Sequence, residues 1–243
     1  MKMPKLIHLT AKDDWNRVLA HAQCIHGTRE RPKVLMTRDR YMIKWFYPRG
    51  GLSSDRLFPY AKRFIKHSRQ LEQKGFTSVD VQAWYYDPQT QAYVVIYPMI
   101  VGMTVREAMQ TESAEKVMNG FVDFVVECHA RGVFFRGIHL GNVLVRSMAA
   151  SMVAERHISP KDNLSFALID VTDCKVQQHA LNRWQRVRNI KHLFANLDDR
   201  QYYAAYGVQR FIDRYVELTG VEVEMKMQAQ SARSNPTLAS VTD

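Results

Sequence analysis

Between Gly132 and Val145 the chain reads Gly-Val-Phe-Phe-Arg-Gly-Ile-His-Leu-Gly-Asn-Val-Leu-Val, a polar loop held between two short apolar runs. Arg136, His139 and Asn142 are its candidate functional residues. A third apolar run, Phe166-Ala-Leu-Ile-Asp170, ends abruptly on a carboxylate. A buried strand that delivers an acid at its tip is one way to present a metal ligand.

The loop resembles a protein-kinase catalytic loop whose aspartate is missing. In that signature a His-Arg-Asp triplet is followed by an Asn; the Asp takes the proton of the acceptor hydroxyl and the Asn holds magnesium. Here Arg136 and Asn142 keep their places, while Phe135 stands for the His and Gly137 for the Asp. The ending His139-Leu-Gly-Asn142 resembles the His-Pro-Gly-Asn of aminoglycoside-kinase-like and other atypical small-molecule kinases. Asp170 falls where the magnesium aspartate belongs, followed by Val171 and Thr172 instead of Phe-Gly. Lys44, in Tyr41-Met-Ile-Lys-Trp-Phe46, shares a strand face with Met42 and Phe46, where an unpaired charge is costly. A phosphate or carboxylate partner is expected for it. Each residue also has a plainer reading: a snorkelling edge lysine, an Asn that caps a turn, a loop-starting Asp, and a His that orients its loop.

Lys44, a helix around residues 58 to 74, an extended Tyr93 to Met99, Arg136, Asn142 and Asp170 occur in kinase order. On these residues the chain resembles the lipopolysaccharide kinase family, the bacterial inner-core heptose and Kdo kinases that include the toluene tolerance proteins of pseudomonads. The resemblance spans residues 30 to 220. It implies an α+β, bilobal protein-kinase-like fold with a small β-rich N-lobe and a mostly helical C-lobe. It also implies ATP and Mg2+ as cofactors, and transfer to a sugar of the lipopolysaccharide core. Lys44, Asn142 and Asp170 would then bind the nucleotide, Asn142 and Asp170 the metal, and Arg136 and His139 would serve catalysis. His139 is the substitute by type for the absent base, and Asp173 is another acid nearby in sequence.

The chain departs from the kinase pattern in two further places. The hairpin before Lys44, Pro32 to Tyr41, has no glycine, and the last one before it is Gly27. The helix that should pair a glutamate with Lys44 carries a single acid, Glu72, near its C-terminal end. The alternative reading is therefore a pseudokinase, which keeps the fold to bind nucleotide or a partner.

Along the chain, residues 1–30 read as an N-terminal extension with one amphipathic helix around Asp14 to Gln23. Residues 31–98 form the N-lobe, with strands over Val79 to Tyr86 and Tyr93 to Tyr97, and Pro98 to Gly102 resembles the hinge of the adenine pocket. Residues 99–224 form the C-lobe, with helices from Thr104, from Ser113 to Arg131, and from Arg183 to Phe194. The last of these is expected to turn Trp184, Val187, Ile190, Leu193 and Phe194 inward and its Arg and Lys outward. Ser147 to Asn163 reads as a surface loop and residues 225–243 as a disordered tail.

The 34 Lys and Arg against 24 acids leave a net charge of +10, which favours an anionic partner. No helix-turn-helix, zinc-finger or RNP-type motif gives that charge a nucleic-acid readout. The lipopolysaccharide core glycolipid and the anionic inner leaflet of a membrane fit better. No apolar run approaches membrane-spanning length and no cleavable signal peptide is visible. The three cysteines are far apart and form no CxxC pair, so neither a disulfide framework nor a zinc site is indicated. A cytoplasmic protein, peripheral on the inner membrane, is the expectation.

Overall fold

The computed structural model describes residues 6–7, 21–28, 30–48, 59–147 and 164–222. The N-terminal part is built on seven strands: β1 (Leu6–Ile7), β2 (Gln23–Gly27), β3 (Pro32–Met36), β4 (Tyr41–Phe46), β5 (Thr77–Ser78), β6 (Ala83–Asp87) and β7 (Ala92–Pro98). All but β5 join one sheet of order β1-β6-β7-β4-β3-β2. Central β4 pairs with β7 so that Lys44 lies opposite Val95 and Trp45 opposite Val94. Alternation then sorts the side chains: Ile43, Trp45 and Val94 pack into a small cluster on one face. Val95, Tyr97 and Trp84 join the main core on the other.

Helix α1 (Tyr60–Gln73) covers that second face. Its buried residues Ala61, Phe64, Ile65, Ser68 and Leu71 recur at helical spacing. It stops at Gly75, whose φ of +81° lets Gly75 N–H reach Glu72 O and Phe76 N–H reach Leu71 O, a Schellman closure that a Cβ would strain.

After the connecting segment come β8 (Met103–Thr104) and the helices α2 (Val105–Thr111) and α3 (Ala114–Ala130). Thr104 and Glu107 cap each other's backbone at the start of α2. Val117, Phe121, Phe124, Val125 and Cys128 of α3 are all buried, as expected. Strands β9 (Val133–Phe135), β10 (Val143–Ser147), β11 (Leu164–Leu168) and β12 (Cys174–Val176) carry the polar loops. β10 and β11 are antiparallel, with Val143 opposite Leu168, and β12 pairs with β9. Helices α4 (Arg183–Phe194), α5 (Arg200–Tyr206) and α6 (Val208–Thr219) complete the body. A sheet-rich N-terminal region and a mostly helical C-terminal part thus make the α+β architecture expected.

Several local expectations differ. Gln23 opens strand β2 instead of closing a helix, and residues 14–20 lie outside the described residues. Side chains along β2 are mostly exposed, so no alternation marks it; pairing with β3 makes it a strand. β6 begins only at Ala83, although Val79 and Val81 before it are buried. Trp184 does not turn inward but is 65% exposed, and the polar Asn189 is buried in α4 instead. Residues 148–163 and 225–243, expected as loop and tail, lie outside the described residues. Among the described residues no helix is long and apolar enough to cross a membrane.

Candidate active site

Lys44 Nζ lies 2.6 Å from Asp170 Oδ1, so the strand lysine finds its carboxylate across the fold. The Lys44 side chain is 14% exposed and that of Asp170 48%. Above the ammonium lie the rings of Phe64 of α1 and Phe46, with centroids 5.2 and 5.4 Å away. Aromatic faces suit a cation, and Phe64 lies on the helix from which a partner glutamate is expected. Glu72, the only acid of α1, is exposed at the far end of the helix.

Asp170 follows β11 by two residues in a left-handed conformation, φ +52° and ψ +45°. Asp tolerates this turn better than most side chains, and it swings the carboxylate off the strand line toward Lys44. The preceding Ile169 N–H donates to Asn142 O at 3.0 Å, which ties the acid's strand to the loop of the amide. His67 Nδ1 meets Val171 O at 2.9 Å and fastens α1 to the same turn.

The loop itself starts from β9, whose three residues are fully or nearly buried. Gly132 enters it at φ +82°, where a Cβ would lie 2.3 Å from His179 O. Arg136 is exposed, and its N–H donates to Asp173 O at 3.2 Å. Gly137 lacks a positive φ; instead, a Cβ there would come within 3.0 Å of the ring of Phe135. Asn142 Nδ2 donates to Gly137 O at 3.0 Å, and among the described residues its Oδ1 has no hydrogen-bond donor. His139 is half-buried, and its Nδ1 accepts the N–H of Gly141 at 3.2 Å, which leaves the proton of the neutral ring on Nε2. Burial lowers its pKa, with Asp199 opposing and Arg106 adding to the shift.

Two buried clusters beneath the loop were not legible in the sequence. Asp199, 0% exposed, takes Arg106 Nη2 at 2.6 Å and Nε at 2.9 Å on one oxygen and the Leu140 N–H at 2.8 Å on the other. Asn189 donates to Phe135 O at 2.8 Å and accepts its N–H at 3.3 Å. His129 Nε2 meets the same Asn189 oxygen at 3.1 Å, and Tyr215 OH meets His129 Nδ1 at 2.7 Å. Since Asn189 Oδ1 can only accept, the His129 proton sits on Nε2 and Tyr215 donates to Nδ1. Both clusters hold the backbone that carries Arg136, His139 and Asn142.

The hairpin directly before Lys44 has no glycine, as expected, but the next one out does. Gly27 ends β2 at φ +96°, and a Cβ there would lie 2.6 Å from Lys33 N. Thr28 closes this turn by accepting Arg31 N–H at 3.1 Å.

The site thus offers one cation, Lys44, and two oxygen ligands on linked loops, Asp170 and Asn142. No group of three His, Cys, Asp or Glu among the described residues could enclose a metal. Few protein oxygens suit Mg2+, which keeps several waters and is bound through one or two carboxylates plus phosphate oxygens. Asp170, half exposed, and the unengaged Oδ1 of Asn142 fit that role.

No protein-family model matches the chain, and no curated protein matches it in sequence. Among solved structures it is similar to WaaP in complex with acyl carrier protein, at 15% identity over 84% of this chain and 83% of that one, with a TM-score of 0.46. It is also similar to a Rio2 kinase from Chaetomium thermophilum in a complex with ADP, Mg2+ and phosphoaspartate, at 11% identity and a TM-score of 0.42. That match covers 77% of this chain and 62% of the Rio2 kinase chain.

Proposed function

We propose that the chain is an ATP-dependent phosphotransferase acting on a sugar of the lipopolysaccharide core. The observation that carries the phosphotransferase reading is the 2.6 Å contact of Lys44 with Asp170, 126 residues apart, on a turn tied to Asn142. The acceptor class rests on the sequence resemblance, and a net charge of +10 suits an anionic glycolipid. Mg-ATP, when bound, supplies the phosphoryl group and much of the charge neutralisation that its transfer needs. Lys44 then holds phosphate oxygens while Asp170 and Asn142 hold the metal. Arg136 adds positive charge at the acceptor side.

Gly137 leaves no carboxylate to take the acceptor proton, and a general base contributes ~10²–10⁴-fold. His139 is neutral and stands in the loop, so it is the substitute; its Nδ1 must release the Gly141 N–H to accept a proton. Positioning and electrostatics remain without it, which makes the enzyme slow rather than inert.

A pseudokinase is the second reading, favoured by the packing of Phe135 against Gly137 and of Phe64 against Lys44. Calorimetry of ATP with and without Mg2+ tests what both share. Asp170→Ala and Asn142→Ala are each expected to weaken Mg2+-dependent binding without unfolding the chain, and unchanged affinity in both would sink the assignment. Transfer to purified lipopolysaccharide core separates the two readings. It is expected to fall with pH below about 6.5 and to lose most of its rate in His139→Ala. Nucleotide binding with no transfer leaves the pseudokinase.

A further inference from the structure

The outer face of α4 carries an unusual residue for a solvent-exposed position. Trp184 is 65% exposed, and Arg188, one turn on, lays its guanidinium 5.0 Å from the indole centroid. Lys191 follows on the same face and is exposed. The spacing 184, 188, 191 makes a straight row along the helix. Buried Asn189, Ile190 and Leu193 on the opposite side set this phase, so the row faces solvent of necessity.

The row lies beside β9, the strand that leads into the loop at Arg136. The ring of His192 stands edge-on to Phe134 at 6.2 Å, and Lys175 lies opposite Phe134 in the β9–β12 ladder. Arg136 is two residues on from Phe134. Burial first, then the charges of Arg136 and Arg188, lowers the pKa of His192, so both guanidiniums act on one neutral ring.

Like several other surface cations, those of this patch have no carboxylate partner among the described residues. Arg106, Arg131, Arg210 and Arg214 each hold a carboxylate. Arg136, Lys175, Arg188 and Lys191 form no ion pair among the described residues. Asp173 accepts the Arg136 N–H through its backbone oxygen, and Glu222 lies 4.0 Å from Arg183.

We propose that the outer face of α4, with Arg136 and Lys175 at its edge, docks on an anionic lipid surface. Lipid phosphates answer the cations, and the indole of Trp184 enters the headgroup boundary, where amphipathic rings settle. An acidic protein would answer the charges too, but an indole set in a row of cations suits the headgroup boundary of an anionic lipid surface. The docking rests on the proposed function only for a reason to be at a membrane: it would bring a membrane-borne acceptor to the rim of the loop.

The test uses the full chain and no nucleotide. Co-sedimentation compares phosphatidylcholine vesicles with vesicles that also contain phosphatidylglycerol, at low and high salt. Binding is expected only to the anionic vesicles, and to weaken with salt. Each cation near such a surface is worth about five-fold (~1 kcal/mol), so Arg188→Gln with Lys191→Gln reduces partitioning about thirty-fold. Trp184→Ala reduces it further and, in a Trp15→Phe background, removes a blue shift of tryptophan emission on binding, since Trp45 and Trp84 are already buried. All three residues are exposed, so thermal stability and Mg-ATP affinity are expected to stay unchanged. Should the combined variant melt early, Arg188→Gln alone gives the same reading at about five-fold. Equal vesicle binding by the variants overturns the proposal, as does absence of binding by the native chain. Binding to polyglutamate but not to vesicles overturns it in favour of an acidic protein. Loss of nucleotide binding with vesicle binding intact would end the kinase reading and leave the docking face standing.

Discussion

The Leu140 N–H points at Asp199 Oδ2, 2.8 Å away, and so a carboxylate 59 residues on holds the middle of the loop that carries His139 and Asn142. The other oxygen of Asp199 is held by Arg106, whose own N–H donates to Leu140 O at 3.3 Å. The loop is clamped through both the N–H and the C=O of one residue, by groups that belong to neither strand flanking it.

Removing that carboxylate leaves the buried Leu140 N–H without its partner, while Arg106, 30% exposed, keeps only Asp198 at 4.0 Å. Asp199→Ala is therefore expected to cost about 1–3 kcal/mol, as leaving a buried polar group unsatisfied does. A denaturant titration measures it, and a loss within 0.5 kcal/mol would mean that water replaces the carboxylate at no penalty.

Lys44→Met is expected to abolish tight nucleotide binding while the melting temperature holds or rises. Its partner Asp170 is 48% exposed and can be solvated, and a methionine fills the space between Phe46 and Phe64. Calorimetry and thermal melts, run together, check both halves. A large drop in stability with normal nucleotide affinity would make the lysine structural.

Gly137 sits in ordinary backbone, so the difficulty of placing a side chain there is packing, not strain. A Cβ would press on Phe135, which is 0% exposed and cannot swing into solvent. Gly137→Ala is expected to destabilise by about 1–3 kcal/mol, in the manner of overpacked cores. Gly137→Asp suffers the same clash, so it is expected not to raise the transfer rate by itself. Equal melting temperatures for Gly137→Ala and the native chain would contradict the contact.

His129 is pushed down to about 4 from 6.5, chiefly by burial, with the Asn189 hydrogen bond opposing and Arg186 adding to the shift. Between these values the unfolded chain binds a proton that the folded chain refuses. Stability therefore rises with pH across the window: the contribution is fully present above about 6.5 and is lost as pH falls toward 4. At 1.36 kcal/mol per unit it amounts to about 3 kcal/mol. His67, His139 and His192 shift in the same direction, so the measurement is the difference between the native chain and His129→Gln. The variant is expected to flatten the dependence of the denaturation midpoint on pH between 6.5 and 4; parallel curves would refute the assignment.

Sequence alone determined the elements whose signal is local. Apolar runs marked β4, β10 and β11, and so put Lys44 in a strand and Asn142 and Asp170 near strand ends. Helical spacing marked α1 and α3, whose stripes bury the residues expected. Tertiary structure decided whatever depends on partners distant in the chain. Asp199 and Asn189 look like surface polar residues until Leu140 and Phe135 close over them, because burial of a polar group requires a hydrogen-bond partner that no short window contains. Phe64 stands over Lys44 through the packing of α1 on the sheet, which spacing within α1 cannot give. For α4, aromatic and apolar residues fall on more than one face, so periodicity defined a helix but not its rotation. Packing of Ile190 and Leu193 against the body, with Asn189 claimed by the Phe135 backbone, turned Trp184 out to the solvent.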